Sequence, residues 1–404
     1  MENRKIWIGV AVLAGLIVLF FVGRELVTWQ QKKQVAKQDQ QQAAQSLAQA
    51  KQSLHQVCQY ADSVGIDTSR YAVTGTMAID EITKKAAQLM MEVRYGKKPS
   101  RIEFSGLPEA IDSSWVAKMD TAFSATDLTR DLSFTPYNQL VKHYSRLRSQ
   151  GKGSPAVADS LRLIRQTLNF YRYINRFDPD KFVVVNIPAG ELNVFDRKGQ
   201  RFLPMKVVAG KKDKRTPCMT TYIKDIVAYP YWNVPKSIAT KEMLPKIQKN
   251  VSFLSSQNLQ VLDSRDREVD PDEIDWESLS ETNFPYRIRQ ASGCDNSLGL
   301  IKFDLENPLA IYLHDTNGRD IFTLSDDRWR SHGCVRVQKP VELANFVLGK
   351  QTFDAGFMNR CLIDQKPQTL AIPKRFPVFI TYNIADVDAA GRLHFYNDVY
   401  GLGN

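Results

Sequence analysis

Two segments decide the fold: Ile311-Tyr-Leu-His-Asp-Thr316 and Arg330-Ser-His-Gly-Cys-Val-Arg-Val337. The second contains Cys334, and a cysteine thiol becomes a strong nucleophile when a neighbouring base or positive charge favours its thiolate. Two histidines are candidates for that base, His314 in the first segment and His332 two residues before the cysteine. The two segments therefore indicate a site for cysteine-based nucleophilic catalysis, with a buried inert cysteine as the alternative.

A sharp turn is predicted immediately before the thiol. Gly333 allows the backbone to bend there, and such a turn can direct successive N–H groups at one point, as an oxyanion hole requires. Zinc binding by His314, His332 and Cys334 is the alternative, but the sequence offers no evident fourth protein ligand and lacks the usual ligand spacings.

The residues around these two segments have strand patterns. Short apolar or alternating runs, separated by Gly, Pro and Asp turns, are typical of strands. They occur at residues 182–187, 191–195, 202–209, 227–234, 300–303, 309–313, 378–385 and 393–396. This pattern predicts a mostly antiparallel β domain in the C-terminal half of the chain.

The region before residue 181 is predicted to be helical. Apolar residues recur at helical spacing in residues 77–95, 110–128, 137–147 and 156–176, which predicts an α-helical scaffold domain over residues 60–180. Residues 24–59 contain no glycine or proline and predict a helical stalk. A weak heptad seam made mostly of alanine leaves two interpretations open, a solvated helix or a coiled-coil dimer.

The most apolar stretch lies at the N-terminus. Residues 6–23 are 18 residues without a charge, about the minimum length that spans a bilayer as a helix. We predict an uncleaved membrane anchor over residues 1–23. A cleaved signal peptide is the alternative, although Phe20-Phe-Val-Gly-Arg-Glu25 is a poor cleavage site. Basic residues on both sides of the span leave its orientation open.

Composition excludes several classes of protein. The 404 residues are 43% apolar and 24% charged, which excludes a wholly disordered or collagen-like chain. The net charge of +10 fits a surface facing anionic lipid or an acidic polymer. Signatures of nucleic-acid-binding modules are not evident, so no nucleic-acid partner is predicted. The five cysteines are an odd number, so at least one thiol has no intrachain disulfide partner.

The motif His314-Asp-Thr316, followed by Ser331-His-Gly-Cys-Val-Arg336, resembles the signature of L,D-transpeptidases with a YkuD-type catalytic domain. The chain is closest to their large, membrane-anchored YcbB-like branch (L,D-transpeptidase D), which has a helical scaffold domain and a lid-like insertion. Further blocks resemble the family in order and cover about residues 160–404: Val185-Asn-Ile-Pro188, Thr216-Pro217, Pro230-Tyr-Trp-Asn-Val-Pro235, Asn296-Ser-Leu-Gly-Leu-Ile-Lys-Phe303 and Asp398-Val-Tyr-Gly401.

Two features depart from that branch. Its members often have a small peptidoglycan-binding module in the helical part, and only residues 151–159 occupy that place here. In addition, Ser292-Gly-Cys294 replaces a turn that is often Pro-Gly-Pro. We therefore expect wall targeting to depend on the anchor, the catalytic groove or partner proteins.

The resemblance implies a role for each residue of the catalytic centre. Cys334 would be the nucleophile, and His314 the general base that takes its proton. The backbone carbonyl of Asp315 would orient the imidazole, while its side chain could be only a turn residue. The N–H groups of Gly333 and Cys334 would form the oxyanion hole.

The resemblance also implies the residues that bind substrate. Arg336 would hold a substrate carboxylate in a fork that lysine does not reproduce. The remaining lining residues would be Ser331, His332, Tyr312, Trp232 and Asn233. Structural support by His332 and a plain core role for Trp232 stay open as alternatives. No metal and no cofactor is expected.

The implied reaction is peptidoglycan cross-linking. Cys334 would attack a tetrapeptide stem, release D-alanine and pass the acyl group from a thioester to an amine of a second stem, giving a 3-3 cross-link. The partners would be peptidoglycan stems, the membrane through the N-terminal helix, and cell-wall synthesis proteins. The chain would cross the bacterial inner membrane once, with its catalytic domain in the periplasm, and a carbapenem would acylate Cys334. The alternatives are an L,D-carboxypeptidase or endopeptidase-type hydrolase on the same fold, or a non-catalytic cell-wall scaffold.

An insertion completes the predicted α+β architecture. The catalytic domain spans residues 181–404, and its segment at about 236–290 is long for a connection between strands. Residues 238–249 are partly helix-like, and an acidic run follows at 263–281. We expect either a solvated loop or a mobile lid that covers the donor stem and excludes water.

Overall fold

The architecture comes from a computed structural model of the chain, which describes residues 2–75, 77–114, 133–150, 154–362 and 365–403. In the first helix the side chains of residues 2–8, 10–14 and 17–18 are outside the described part. The predicted helix at 110–128 lies largely outside the described residues, as do residues 151–153.

The chain divides into two compact units. The first comprises residues 1–62, 66–91 and 112–129, and the second comprises residues 63–65, 92–111 and 130–404. The boundaries predicted at residues 23, 59 and 180 stay predictions.

The first unit is helical. Helix α1 (Glu2–Ser63) runs for 62 residues, and helix α2 (Ile79–Tyr95) begins in this unit. In α1 the seam residues Ala50, Leu54 and Val57 are buried, so the C-terminal part of the seam packs inside the protein. In the described part of the chain, no helix is both long enough and apolar enough to cross a membrane. The predicted anchor falls mostly on side chains that lie outside that part.

The second unit contains the sheet and most of the short helices. Its helices are α3 (Thr135–Gln150), α4 (Pro155–Ile174), α5 (Lys236–Ile238), α6 (Leu244–Lys249), α7 (Phe253–Ser256), α8 (Ile321–Leu324) and α9 (Pro340–Leu348). Its strands are β1 (Ile102–Ser105), β2 (Lys181–Asn186), β3 (Glu191–Asp196), β4 (Met205–Gly210), β5 (Cys218–Ala228), β6 (Trp232–Asn233), β7 (Leu259–Leu262), β8 (Arg287–Gln290), β9 (Ile301–Leu305), β10 (Tyr312–His314), β11 (Trp329–Ser331), β12 (Val335–Val337), β13 (Gln368–Thr381), β14 (Ala385–Val387) and β15 (Leu393–Phe395).

The main sheet closes on itself. Its strand order is β1-β5-β13-β2-β3-β4-β12-β10-β9, β11 pairs with β4, and β9 also pairs with the second half of β5. Strands such as β2 are buried along nearly their whole length because their apolar side chains face the core on one side and packed helices or strands on the other. The closed sheet therefore provides a rigid frame for the loops at its ends.

The mixture of helix and sheet is confirmed, but the strand pairing is less uniformly antiparallel than predicted. β2–β13, β10–β12, β1–β5 and β4–β11 are parallel pairs. The predicted strand at 227–234 is wrong, because β5 ends at Ala228 and β6 belongs to a separate sheet. Residues 60–180 are also not wholly helical, since β1 lies within them and pairs with β5.

The insertion at 236–290 is a folded subdomain, which we call the lid. Strands β6, β8 and β7 form a three-stranded sheet, and α5, a π-helical turn at Ala239–Met243, α6 and α7 pack with it. The lid has its own hydrophobic core, to which the acidic run contributes Trp276 and Leu279. The prediction of a solvated loop is therefore wrong, because apolar residues between the carboxylates are buried.

Candidate active site

The register of two parallel strands brings the two motif segments together. β10 pairs with β12 so that Leu313 lies opposite Val335 and His314 lies opposite Arg336. One residue earlier, the same register places Tyr312 beside Cys334. A histidine and a cysteine that are 20 residues apart in sequence thus reach one end of the sheet.

These segments form one wall of a cavity of about 810 Å³, and the lid forms another. Eight of the ten predicted site residues line it: Trp232, Asn233, Tyr312, His314, Ser331, His332, Cys334 and Arg336. Asp315 and Gly333 are not part of its lining. The cavity lies within the size range of small-molecule sites in proteins.

The imidazole of His314 is held in its neutral form. The side chain is buried, and burial together with the positive charge of Arg336 lowers the pKa of His314 to about 3. The backbone carbonyls of Asp315 and Leu298 raise the pKa of His314, but by less than burial and Arg336 lower it. Nδ1 is fully enclosed, which leaves Nε2 as the nitrogen that can accept a proton.

The thiol of Cys334 is also held neutral. It is half-buried, and its Sγ contacts the carbonyl oxygen of Ala310 at 3.6 Å. Burial raises the pKa of Cys334, while hydrogen bonds from the main chain and hydroxyl of Tyr312 and the charge of Lys302 lower it. Because both groups favour their neutral forms, proton transfer to His314 is expected to accompany nucleophilic attack rather than precede it.

The turn before the thiol is fixed by hydrogen bonds on both sides. Gly333 has φ of +121°, a conformation that favours glycine. The Ser331 hydroxyl donates to the carbonyl of Cys334 and accepts the N–H of Gly333, at 2.5 and 3.1 Å. The Thr216 hydroxyl donates to the carbonyl of Gly333 at 2.7 Å. The Gly333 N–H is therefore already bound to Ser331 and does not point freely at the predicted oxyanion hole.

The Asp315 side chain is more than a turn residue. Its carboxylate is completely buried and accepts hydrogen bonds from the Leu300 N–H and from the guanidinium of Arg319. Gly299, with φ of +62°, lies directly against this carboxylate. The carboxylate thus fixes the loop that contains Leu298, one of the two carbonyls beside His314.

His332 contacts the lid. Its Nε2 lies 2.9 Å from Oε1 of Glu242, and Lys214 Nζ donates to the same oxygen at 2.8 Å. These contacts connect the catalytic turn, the β4–β5 loop and the lid. Arg336 is half-buried, and in the described part of the chain its Nε has no hydrogen-bond partner. This guanidinium is therefore available to a carboxylate ligand.

Residues 180–380 match the sequence profile of the L,D-transpeptidase catalytic domain, the YkuD family. This part of the chain is a YkuD-type catalytic domain. A Haemophilus influenzae protein named "Putative L,D-transpeptidase" is 36% identical over 219 residues, which are 54% of this chain and 44% of that protein. The matched region is thus less than half the length of this curated relative.

Solved structures also match about half of the chain, at low identity. The L,D-transpeptidase from Mycobacterium smegmatis matches with 12% identity and a TM-score of 0.21, over 50% of this chain and 58% of that one. L,D-transpeptidase 3 from Mycobacterium tuberculosis matches with 11% identity and a TM-score of 0.23, over 50% of this chain and 61% of that one.

The cysteines of the chain fall into two groups. Cys294 and Cys361 form a disulfide, and Cys58, Cys218 and Cys334 are free thiols. Burial raises the pKa of Cys218 to about 12, which makes it unreactive, so Cys334 is the free thiol that faces the YkuD-type cavity. In the described part of the chain no group of three or more His, Cys, Asp or Glu side chains is arranged to hold a metal ion.

Sequence reasoning missed several residues of this site. Lys214, Thr216, Glu242 and Leu298 reach the YkuD-type site from distant parts of the chain, and no spacing connects them to Cys334. Arg319 lies four residues after Asp315, but an acid and a base at that separation are common on protein surfaces. Only the folded structure identifies these contacts as parts of one site.

Proposed function

We propose that this protein is a peptidoglycan L,D-transpeptidase of the YcbB-like branch. The observation that supports this most directly is the β10–β12 register, which brings a neutral buried His314 and the neutral thiol of Cys334 into the lining of one cavity that the lid also lines. This is the arrangement that thiol-based acyl transfer needs: a nucleophile, a base able to take its proton, and a site partly screened from water.

The first half-reaction forms a thioester. Cys334 Sγ attacks the carbonyl carbon that precedes the terminal D-alanine of a tetrapeptide stem, and its proton passes to His314 Nε2. The C–N bond to D-alanine breaks, and the leaving amine takes the proton from His314. The Cys334 N–H stabilises the oxyanion. The Gly333 N–H becomes a second donor when substrate binding breaks its hydrogen bond to the Ser331 hydroxyl.

The second half-reaction forms the cross-link. The free amine of a second stem attacks the thioester, the C–S bond breaks, and His314 moves the amine proton to the departing sulfur. Arg336 holds a carboxylate of the donor stem, and Tyr312, Trp232 and Asn233 shape the groove around it. The lid keeps water from the thioester, which favours aminolysis over hydrolysis.

The proposal includes the place where the protein works. Peptidoglycan lies outside the cytoplasmic membrane, so we propose that residues 1–23 anchor the chain in the inner membrane and that the catalytic domain lies in the periplasm. Cell-wall synthesis proteins are the proposed further partners. The net charge of +10 is compatible with anionic lipid on one side and a carboxylate-bearing wall on the other.

The deciding experiment is product analysis on defined muropeptides. Purified disaccharide-tetrapeptide is incubated with the wild-type protein and with Cys334→Ala, and products are identified by mass spectrometry. We expect cross-linked dimers containing a tripeptide donor, formed by the wild type alone. Shortened stems without dimers would indicate a hydrolase. Full complementation of a deletion strain by Cys334→Ala would indicate a non-catalytic scaffold.

A covalent probe tests the nucleophile separately. A carbapenem should acylate the wild-type protein once, at Cys334, as measured by intact mass and peptide mapping. Cys218→Ala is a matched control that should acylate normally, because that thiol is buried away from the cavity. Absence of an adduct, or an adduct on another residue, contradicts the assignment of Cys334.

A further inference from the structure

The cavity has an uneven distribution of charge. Of the described residues that line it, Glu242 is the one carboxylate, whereas Lys214, Lys246 and Arg336 are cationic. A donor stem presents carboxylates, which the cationic side chains complement. The acceptor of a transferase is a primary amine, which is an ammonium ion at neutral pH. Glu242 is therefore the lining residue whose charge matches the acceptor.

The position of Glu242 suits a binding role. It lies on the π-helical turn of the lid, and its carboxylate reaches His332, two residues from the nucleophile. Its contacts with Lys214 Nζ and His332 Nε2 both go to Oε1. Among the described residues no hydrogen bond reaches Oε2, and the side chain is 39% exposed. One oxygen of the carboxylate is therefore free to accept a ligand hydrogen bond.

The neighbours keep this carboxylate charged. The hydrogen bond from Lys214 and the contact with His332 lower the pKa of Glu242, against a smaller opposing effect of burial. The Lys214 ammonium contacts Oε1, and a second ammonium could make the same kind of contact with Oε2. The existing ion pair is thus one alkylammonium contact that this carboxylate already makes, at its other oxygen.

We propose that Glu242 is the binding site for the ammonium group of the acyl acceptor, an inference that rests on the proposed transferase function. The acceptor docks through a charge-assisted hydrogen bond from its ammonium to Oε2 of Glu242. It loses one proton to water, and the resulting free amine attacks the thioester on Cys334. A residue of the lid thereby selects amines over water as the second substrate.

The test separates the two half-reactions in the full-length protein. The variants are Glu242→Gln, which removes the charge at constant size, and Glu242→Asp, which keeps it. Glu281→Gln is the matched control, because Glu281 is a lid carboxylate that pairs with Lys241 at 3.1 Å and does not line the cavity. Acylation of Cys334 is measured with a tetrapeptide donor whose free amine is blocked, so that no acceptor is present. Partition between cross-linking and hydrolysis is then measured at increasing concentration of an added amine acceptor.

We expect Glu242→Gln to raise the KM for the acceptor about tenfold, because the acceptor loses a charged hydrogen bond at a partly exposed site. The products should also shift toward hydrolysis. Its acylation rate should change by less than threefold. Glu242→Asp should recover part of the acceptor affinity, and Glu281→Gln should match the wild type.

Three results overturn the inference. Equal loss of acylation and transfer in Glu242→Gln would mean that Glu242 only connects the lid to the catalytic turn. An acceptor KM equal to that of the wild type would mean that it has no role toward the acceptor. Failure of the wild-type Cys334 to be acylated by the donor would reject the proposed function itself, and this inference with it.

Discussion

The guanidinium of Arg319 donates two hydrogen bonds to the carboxylate of Asp315, from Nε to Oδ1 at 3.1 Å and from Nη2 to Oδ2 at 2.7 Å. Oδ2 also accepts the N–H of Leu300 at 2.8 Å. Asp315 directly follows His314, so this ion pair, with a buried carboxylate and a partly exposed guanidinium, fixes the strand end that holds His314. Fork-like Arg–carboxylate contacts of this kind are specific in geometry.

Asp315→Asn tests whether this pair positions His314. The amide cannot accept both Arg319 and Leu300 as the carboxylate does, so we expect a loss of about 1–3 kcal/mol in the free energy of unfolding. Acylation of Cys334 should slow about tenfold as His314 loses its fixed orientation. Asp327→Asn is the matched control, because Asp327 forms an exposed pair with Arg330 and should cost at most about 0.5 kcal/mol. Unchanged acylation in Asp315→Asn would show that the side chain has no positioning role.

Gly299→Ala tests the same loop from the other side. A Cβ atom at this position would lie 2.1 Å from Oδ2 of Asp315, and the backbone has φ of +62°. Gly349→Ala is the control, because it has a similar φ of +68° but open space around its Cα. We expect about 1 kcal/mol of destabilisation in Gly349→Ala and at least twice that in Gly299→Ala, measured by denaturant unfolding. Equal losses in the two variants would mean that the loop adapts to the added methyl group.

The depressed pKa of His314 predicts how stability depends on pH. Its value is about 3 in the folded protein and about 6.5 in an unfolded chain. Between these values the unfolded state binds a proton that the folded state does not bind, so stability falls as the pH is lowered through this window. The contribution of this group is at most about 1.4 kcal/mol per pH unit.

Denaturant unfolding of the wild type and His314→Gln between pH 7 and pH 4 measures this contribution. The free energy of unfolding should fall less steeply with decreasing pH in the variant. His55→Gln is the control, because His55 is exposed, and it should follow the wild-type slope. Parallel slopes for the wild type and His314→Gln would contradict a buried neutral imidazole.

Removal of the disulfide should destabilise the catalytic domain. Cys294 and Cys361 are 67 residues apart, and a bridge over such a loop stabilises a protein by about 2–4 kcal/mol. We expect the Cys294→Ala/Cys361→Ala protein to unfold at a lower denaturant concentration than the oxidised wild type. A reducing agent should bring the wild type to the level of the double variant and leave the double variant unchanged. A wild type that does not respond to reductant would show that the bridge is absent.

The sequence predicted the centre of the site better than its surroundings. The motif around Cys334 and His314 indicated two side chains that the structure places in the lining of one cavity. Their roles as nucleophile and base stay predictions. Strand β5 was missed because buried threonines, Thr220 and Thr221, resemble a polar loop. The folded lid was missed because Trp276 stands between carboxylates without a strand or helix period.

Individual hydrogen bonds between distant segments were not predicted. Glu242 and His332 are 90 residues apart, and their separation in sequence contains no information about the 2.9 Å contact. The contacts of the Asp315 carboxylate were not predicted either, because the family resemblance implied a role only for the backbone carbonyl of Asp315. Such contacts depend on how a lid packs on a sheet, which a one-dimensional pattern does not encode.

The lid enters and leaves the catalytic domain through neighbouring strands. Trp232 of β6 lies opposite Gln290 of β8, so the two junctions of the insertion are adjacent in space. A single deletion between them can be closed by a tight turn without moving any strand of the main sheet. In evolutionary terms, a contiguous insertion of this kind can be gained, lost or exchanged between related proteins in one genetic event, while Cys334 and His314 stay where they are.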